Sequence, residues 1–170
     1  MPRTTTTRAR RAYGPRKKYS LARTCAASSV SCAAAGQLGA QQSVQIVASA
    51  AAQGKRKCKN FDINLACSAA TAEDQEGSLI YYALVYVPAG TTAAQLNATS
   101  GSELYTPAAN VLAAGIYDVS EGTGFRVRTR LARNLNAGDE IQLVLRGTNY
   151  GANVNTVNLS GVITYVVAYN

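Results

Sequence analysis

Eight basic side chains, Arg3, Arg8, Arg10, Arg11, Arg16, Lys17, Lys18 and Arg23, stand in the first 23 residues with no acid among them. Guanidinium and ammonium groups at this density have one common chemistry, the neutralisation of phosphates with release of their counterions, which is indifferent to base sequence. Tyr13 and Tyr19 lie between these charges and offer ring faces for unpaired bases, a mode open to single strands. A second basic cluster, Lys55, Arg56, Lys57 and Lys59, precedes an apolar alternation. It either extends the phosphate-binding surface or is an ordinary charged loop. Arg126, Arg128 and Arg130 alternate with Phe125 and Val127, so they leave one face of a strand at a spacing of about 7 Å. That face meets solvent, phosphates or the acids of a neighbouring chain. The Arg10, Arg11, Lys17 and Lys18 pattern also has the form of a nuclear import signal.

Other chemistries lack their parts. The chain has no histidine, which removes the usual general base and any Ser-His-Asp or Cys-His pairing. No G-x-S-x-G elbow is present, and no catalytic residue is assigned. Cys25, Cys32, Cys58 and Cys67 follow no zinc-site spacing, so neither a metal nor a cofactor is expected. Cys58 and Cys67 on one extended strand stand about 30 Å apart, too far to bridge, and free thiols are the expectation. Asp139 and Glu140, as strand neighbours, point to opposite faces, which suits a solvated turn better than a calcium site.

These groups must be carried by something, and the chain divides into two parts. Residues 1–23 hold all of the excess charge: the other nine basic residues are matched by nine acids, and the total is +8. Such a segment buries too little apolar surface to offset its ordering entropy, so it is expected to be a disordered arm when free. Residues 24–170 read as one domain of strands. Phe61, Ile63 and Leu65 alternate with Asn60, Asp62 and Asn64, and Ile141, Leu143 and Leu145 repeat the period of two. Leu131 continues the alternation of Phe125 and Val127, and residues 134–139 supply a turn with Gly138 free to take positive φ. Further strands are expected at 26–33, 43–50 and 111–119, for about eight in all. From Leu79 to Val87 and from Val162 to Tyr169 both strand faces are apolar, so each requires a second cover, and a neighbouring subunit is favoured over overlying loops. The connection from Pro88 to Asn110 is long and polar, the mark of a functional surface or an interface. No segment reaches the roughly 20 apolar residues of a membrane span. Many short strands with Gly, Ser and Thr between them indicate an all-β sandwich or barrel.

The arginine-rich start, "LIYYALVYVPAGTT", "SELYTPAANVLAAGIY" and "RVRTRLARNLNAGDEIQLVL" resemble capsid proteins of the circovirus-like group of small circular single-stranded DNA viruses, over most of the chain and in order. The resemblance implies an eight-stranded antiparallel jelly roll of two four-stranded sheets. It further implies sixty copies in a T=1 icosahedral shell, the arm held inside against viral single-stranded DNA, and import of new subunits into the host nucleus through a host import receptor. Two alternatives stand beside it: the coat of a small RNA or satellite virus, and a secreted β-sandwich binding module whose first 36 or so residues are a cleaved export signal. The absence of tryptophan separates this chain from better-known circovirus coats, and no receptor-binding residue is carried over.

Overall fold

The structure is a computed structural model that describes residues 18–51, 54–69, 71, 77–99, 101–122 and 124–169. Among the described residues nine strands follow in order: β1 (Ser20–Ala33), β2 (Gln42–Val47), β3 (Arg56–Ala69), β4 (Ser78–Val87), β5 (Val111–Asp118), β6 (Phe125–Thr129), β7 (Arg133–Leu135), β8 (Glu140–Asn149) and β9 (Asn155–Tyr169). The helical content among the described residues is two single turns of 3₁₀ helix, Ala108–Asn110 and Val119–Glu121.

Pairing resolves the strands into two halves. One has the order β2-β8-β4-β5, the other β1-β9-β3-β6, with β7 added to β3 beyond the end of β6. Every pair within a half is antiparallel, and a short parallel contact, Cys32 and Ala33 of β1 against Gly147 and Thr148 of β8, joins the halves into one curled sheet. Neighbouring strands are distant in sequence, as in a jelly roll. The eight expected strands are present, and β7 is a three-residue addition that overlaps the start of the segment read as a turn.

Both halves turn their alternating apolar residues into one core. Phe61, Ile63 and Leu65 of β3, Val157, Leu159 and Ile163 of β9, Ile80 and Leu84 of β4, and Ile141, Leu143 and Leu145 of β8 are all buried there. Phe125 of β6 is met edge-on by Tyr82 of β4 at 4.9 Å and by Tyr117 of β5 at 5.5 Å, which ties the two halves across the core. The opposite face of β4 is also buried, under a second cluster of Ala83, Val85, Val87 and Val144 with Leu96 and Tyr105. Leu96 and Tyr105 belong to the 88–110 connection. The cover expected from a neighbouring subunit is thus supplied, for this strand, by the chain's own loop. Arg146 fixes that loop by donating to the carbonyls of Leu96, Leu38 and Gly39.

Several local expectations change. Strand β1, expected at 26–33, opens at Ser20, and Arg23 pairs with Thr164 inside the sheet. Strand β6 ends at Thr129, which leaves Leu131 exposed instead of in the buried alternation. Asp139 is in the expected turn but is 3% exposed, not solvated. Its carboxylate accepts from the backbone N–H groups of Ala89 and Asn136, the Tyr86 hydroxyl and the Asn136 amide, so a calcium ion would have to compete with four donors. Burial alone would raise its pKa, but these hydrogen bonds outweigh burial and hold the carboxyl below the ordinary carboxylate value. A carboxylate depressed on folding stabilises fully above its ordinary value and loses that contribution as the pH falls through the lowered one. Asp139→Ala is expected to cost about 2–4 kcal/mol at neutral pH and to flatten the acid limb of stability, measured by urea unfolding across pH. An unchanged midpoint would leave the turn without this role.

Candidate nucleic-acid interface

The basic residues fall where the strand parity sends them. On β3 the pairing with β9 slips: Lys59 faces Val166 while Asp62 faces Thr164, three steps on one strand against two on the other. The extra residue is at Asn60, which takes the left-handed φ of 54°. Because of this bulge, Lys57 and Lys59 share the side of Asp62 and Asn64 that points away from the core, while Cys58 turns inward and is buried. Were Asn60 an ordinary member of the ladder instead of an extra residue, strict alternation from buried Phe61 would send Lys59 and Lys57 inward.

Other cations reach the same side from neighbouring strands. Arg128 pairs with Asp62 and Arg126 with Asn64 across β3 and β6. Arg23 of β1 lies in the row of Thr164 and Asp62, and Arg130, just beyond β6, lines the same surface beside Asn60 and Arg128. Six cations therefore share one sheet face, and Asp62 is the only acid in all five strands of this half. Arg126 grips Asp62 with two hydrogen bonds, at 3.1 and 3.2 Å, and Arg128 approaches it at 3.4 Å. The hydrogen bond from Arg126, outweighing partial burial, and the charges of both arginines hold the Asp62 carboxyl below its ordinary value. Tyr19, immediately before β1, lies under the Lys59 ammonium, 4.0 Å from the ring centroid. The chain thus enters the domain on the basic face.

Of the candidate residues, Lys18 is exposed just ahead of β1, Lys55 is exposed just ahead of β3, and Arg23, Lys57 and Lys59 are on this face. Arg56 is the exception. Its guanidinium donates to the carbonyls of Ala48 and Asp139, so it ties a loop to the turn instead of joining its neighbours in sequence. Arg3, Arg8, Arg10, Arg11, Arg16 and Lys17 lie outside the described residues. Arg126, Arg128 and Arg130 complete the face without having been assigned to it; their alternation was visible, but not the strand they would lie beside.

The cysteines are all free: Cys32 and Cys58 buried, Cys67 partly so and Cys25 exposed. Burial, only partly offset by Arg56, pushes the Cys58 thiol up to about 11, where it is a poor nucleophile. Among the described residues no three His, Cys, Asp or Glu side chains come together, and no helix is long and apolar enough to cross a membrane.

No protein-family model matches the chain, and no curated protein matches it in sequence. Among solved structures, the chain is similar to the decameric capsid protein of beak and feather disease virus, a circovirus, with a TM-score of 0.45 and 11% identity, covering 90% of this chain and 99% of that one. The 60-mer form of the same capsid protein aligns with a TM-score of 0.43 and 10% identity over 91% of this chain and 95% of that one.

Proposed function

We propose that the chain is a viral coat protein that associates with copies of itself into a small icosahedral shell and holds single-stranded DNA against its basic face and N-terminal arm. The observation that carries this reading is the segregation of charge. Residues 24–170, which sum to neutrality, place five cations and one acid on a single sheet face, Arg23 adds a sixth cation, and the arm joins the domain on that face through Tyr19 and Lys59. A shell subunit has to hold a polyanion on one side only, and charge confined to one face meets that need. The jelly roll, an architecture of capsid domains, supports the reading, as do the sequence segments that resemble circovirus-like coats. With them go a T=1 shell of sixty copies, a place in the virion, and import into the host nucleus by an import receptor acting on residues 10–18.

The cargo is taken as single-stranded because a basic face with a ring at its edge tracks a backbone and leaves bases accessible for stacking. Particles purified from cells expressing the full chain should be uniform in electron micrographs and yield nucleic acid degraded by DNase. RNase-sensitive cargo would replace DNA by RNA and keep the coat. A monodisperse small species with a 260/280 nm ratio of protein alone would overturn the proposal.

A further inference from the structure

The β-bulge that turns the two lysines outward also leaves a hollow of about 360 Å³ in the basic face. Its two sides differ in chemistry. Leu21 and Val166, which face each other across β1 and β9, form an apolar wall, and Leu21 is 56% exposed. Arg128 and Arg130 form the opposite wall. Asn60 and Asp62 lie between them with polar atoms, beside Thr164. Arg130 makes no ion pair among the described residues, and Arg128 approaches Asp62 with its Nε at 3.4 Å.

Resting on the nucleic-acid reading of this face, we infer that the hollow is a nucleotide pocket, which takes one unpaired base of the packaged strand. The base lies against Leu21 and Val166 and beneath a guanidinium plane, a surface on which bases stack, while the terminal nitrogens of Arg128 and Arg130 hold the adjacent phosphate. An acid at the centre of a phosphate-binding face is otherwise counterproductive, since it repels the ligand. As an acceptor for an exocyclic amino group it has a use: Arg126 occupies two of the roughly four acceptor positions of the Asp62 carboxylate and Arg128 approaches it at 3.4 Å without a hydrogen bond, which leaves room for the N4 amino group of a cytosine. The arrangement excludes duplexes, whose bases are paired and stacked out of reach.

The test compares two strands of equal charge on the full-length protein at matched salt: an oligodeoxycytidylate of a dozen residues and an abasic strand with the same number of phosphates. Fluorescence anisotropy should show the cytidylate bound about five- to tenfold more tightly. Leu21→Gln removes the apolar wall at an exposed position, and Thr164→Gln fills the hollow without altering charge or adding a ring. Each should bring the ratio near one and leave the abasic affinity unchanged, with circular dichroism confirming the fold. A parent ratio of one overturns the pocket while leaving the charged face standing. A ratio that survives both substitutions assigns the stacking to Tyr13 and Tyr19 of the arm and overturns it as well. If neither strand binds the parent, the nucleic-acid reading falls and the pocket with it.

Discussion

Replacing Lys57, Lys59, Arg126, Arg128 and Arg130 together by glutamine is expected to reduce the salt dependence of single-strand binding by about 3–4 in the slope of log K against log salt, because each phosphate contact contributes about 0.7. All five side chains point away from the core, and Arg126 and Arg128 expose 56% and 72% of their side chains. Their loss should therefore leave the thermal midpoint nearly unchanged. Titrations of a labelled strand at a series of salt concentrations measure the slope directly. The control is Arg56→Gln, which should leave the slope alone and lower stability, since its guanidinium holds the Ala48 and Asp139 carbonyls. A slope that does not move when the five are removed would return the whole electrostatic role to the arm.

The second large effect concerns the cover of β4. Val85 is 0% exposed beneath the 88–110 connection, so Val85→Lys places an ammonium in an apolar cluster with no acid to meet it. The cost is expected to exceed about 4 kcal/mol, enough to remove most of the stability of a domain this size. The deficit should appear in the isolated subunit as a lost or strongly lowered unfolding midpoint by circular dichroism, before any assembly. A folded Val85→Lys subunit of ordinary midpoint that merely fails to form particles would instead show that the second face of β4 is an interface, with the loop displaced.

That contrast marks what the sequence carried. Apolar residues on both faces of Leu79–Val87 required a second cover; period and burial say so without saying what the cover is. The loop that provides it contains Leu96 and Tyr105 among alanines, threonines and glycines, a composition that reads as polar because two buried side chains are enough to close the patch. The strands themselves were legible wherever alternation was strict, as in β3 and β8. Strand β7 was not, since three residues cannot express a period. Charge was legible only as a sum. The second basic cluster divided by strand parity, with Arg56 sent one way and Lys57 and Lys59 the other, while the remaining cations came from Arg23 of β1 and from β6 and its end, the latter more than sixty positions along the chain. No local window contains both, and only the β3–β6 pairing brings Arg126 and Arg128 beside Asn64 and Asp62.

The bulge at Asn60 makes the sidedness of a strand depend on a count of residues as well as on their kinds. Removing the single codon for Asn60 would change no charge and no hydrophobic side chain, and at the level of composition it would be almost silent. With Phe61 still seated in the core, that deletion would bring Lys59 directly beside Phe61 and leave Lys59 and Lys57 outside and Cys58 inside, with only the bulge lost. A regular ladder that kept Asn60 would instead carry both lysines inward, so the face would lose two of its cations and the core would receive them. Insertions and deletions in this stretch are therefore a different class of event from substitutions, and a register of length is written into the chain between Cys58 and Phe61.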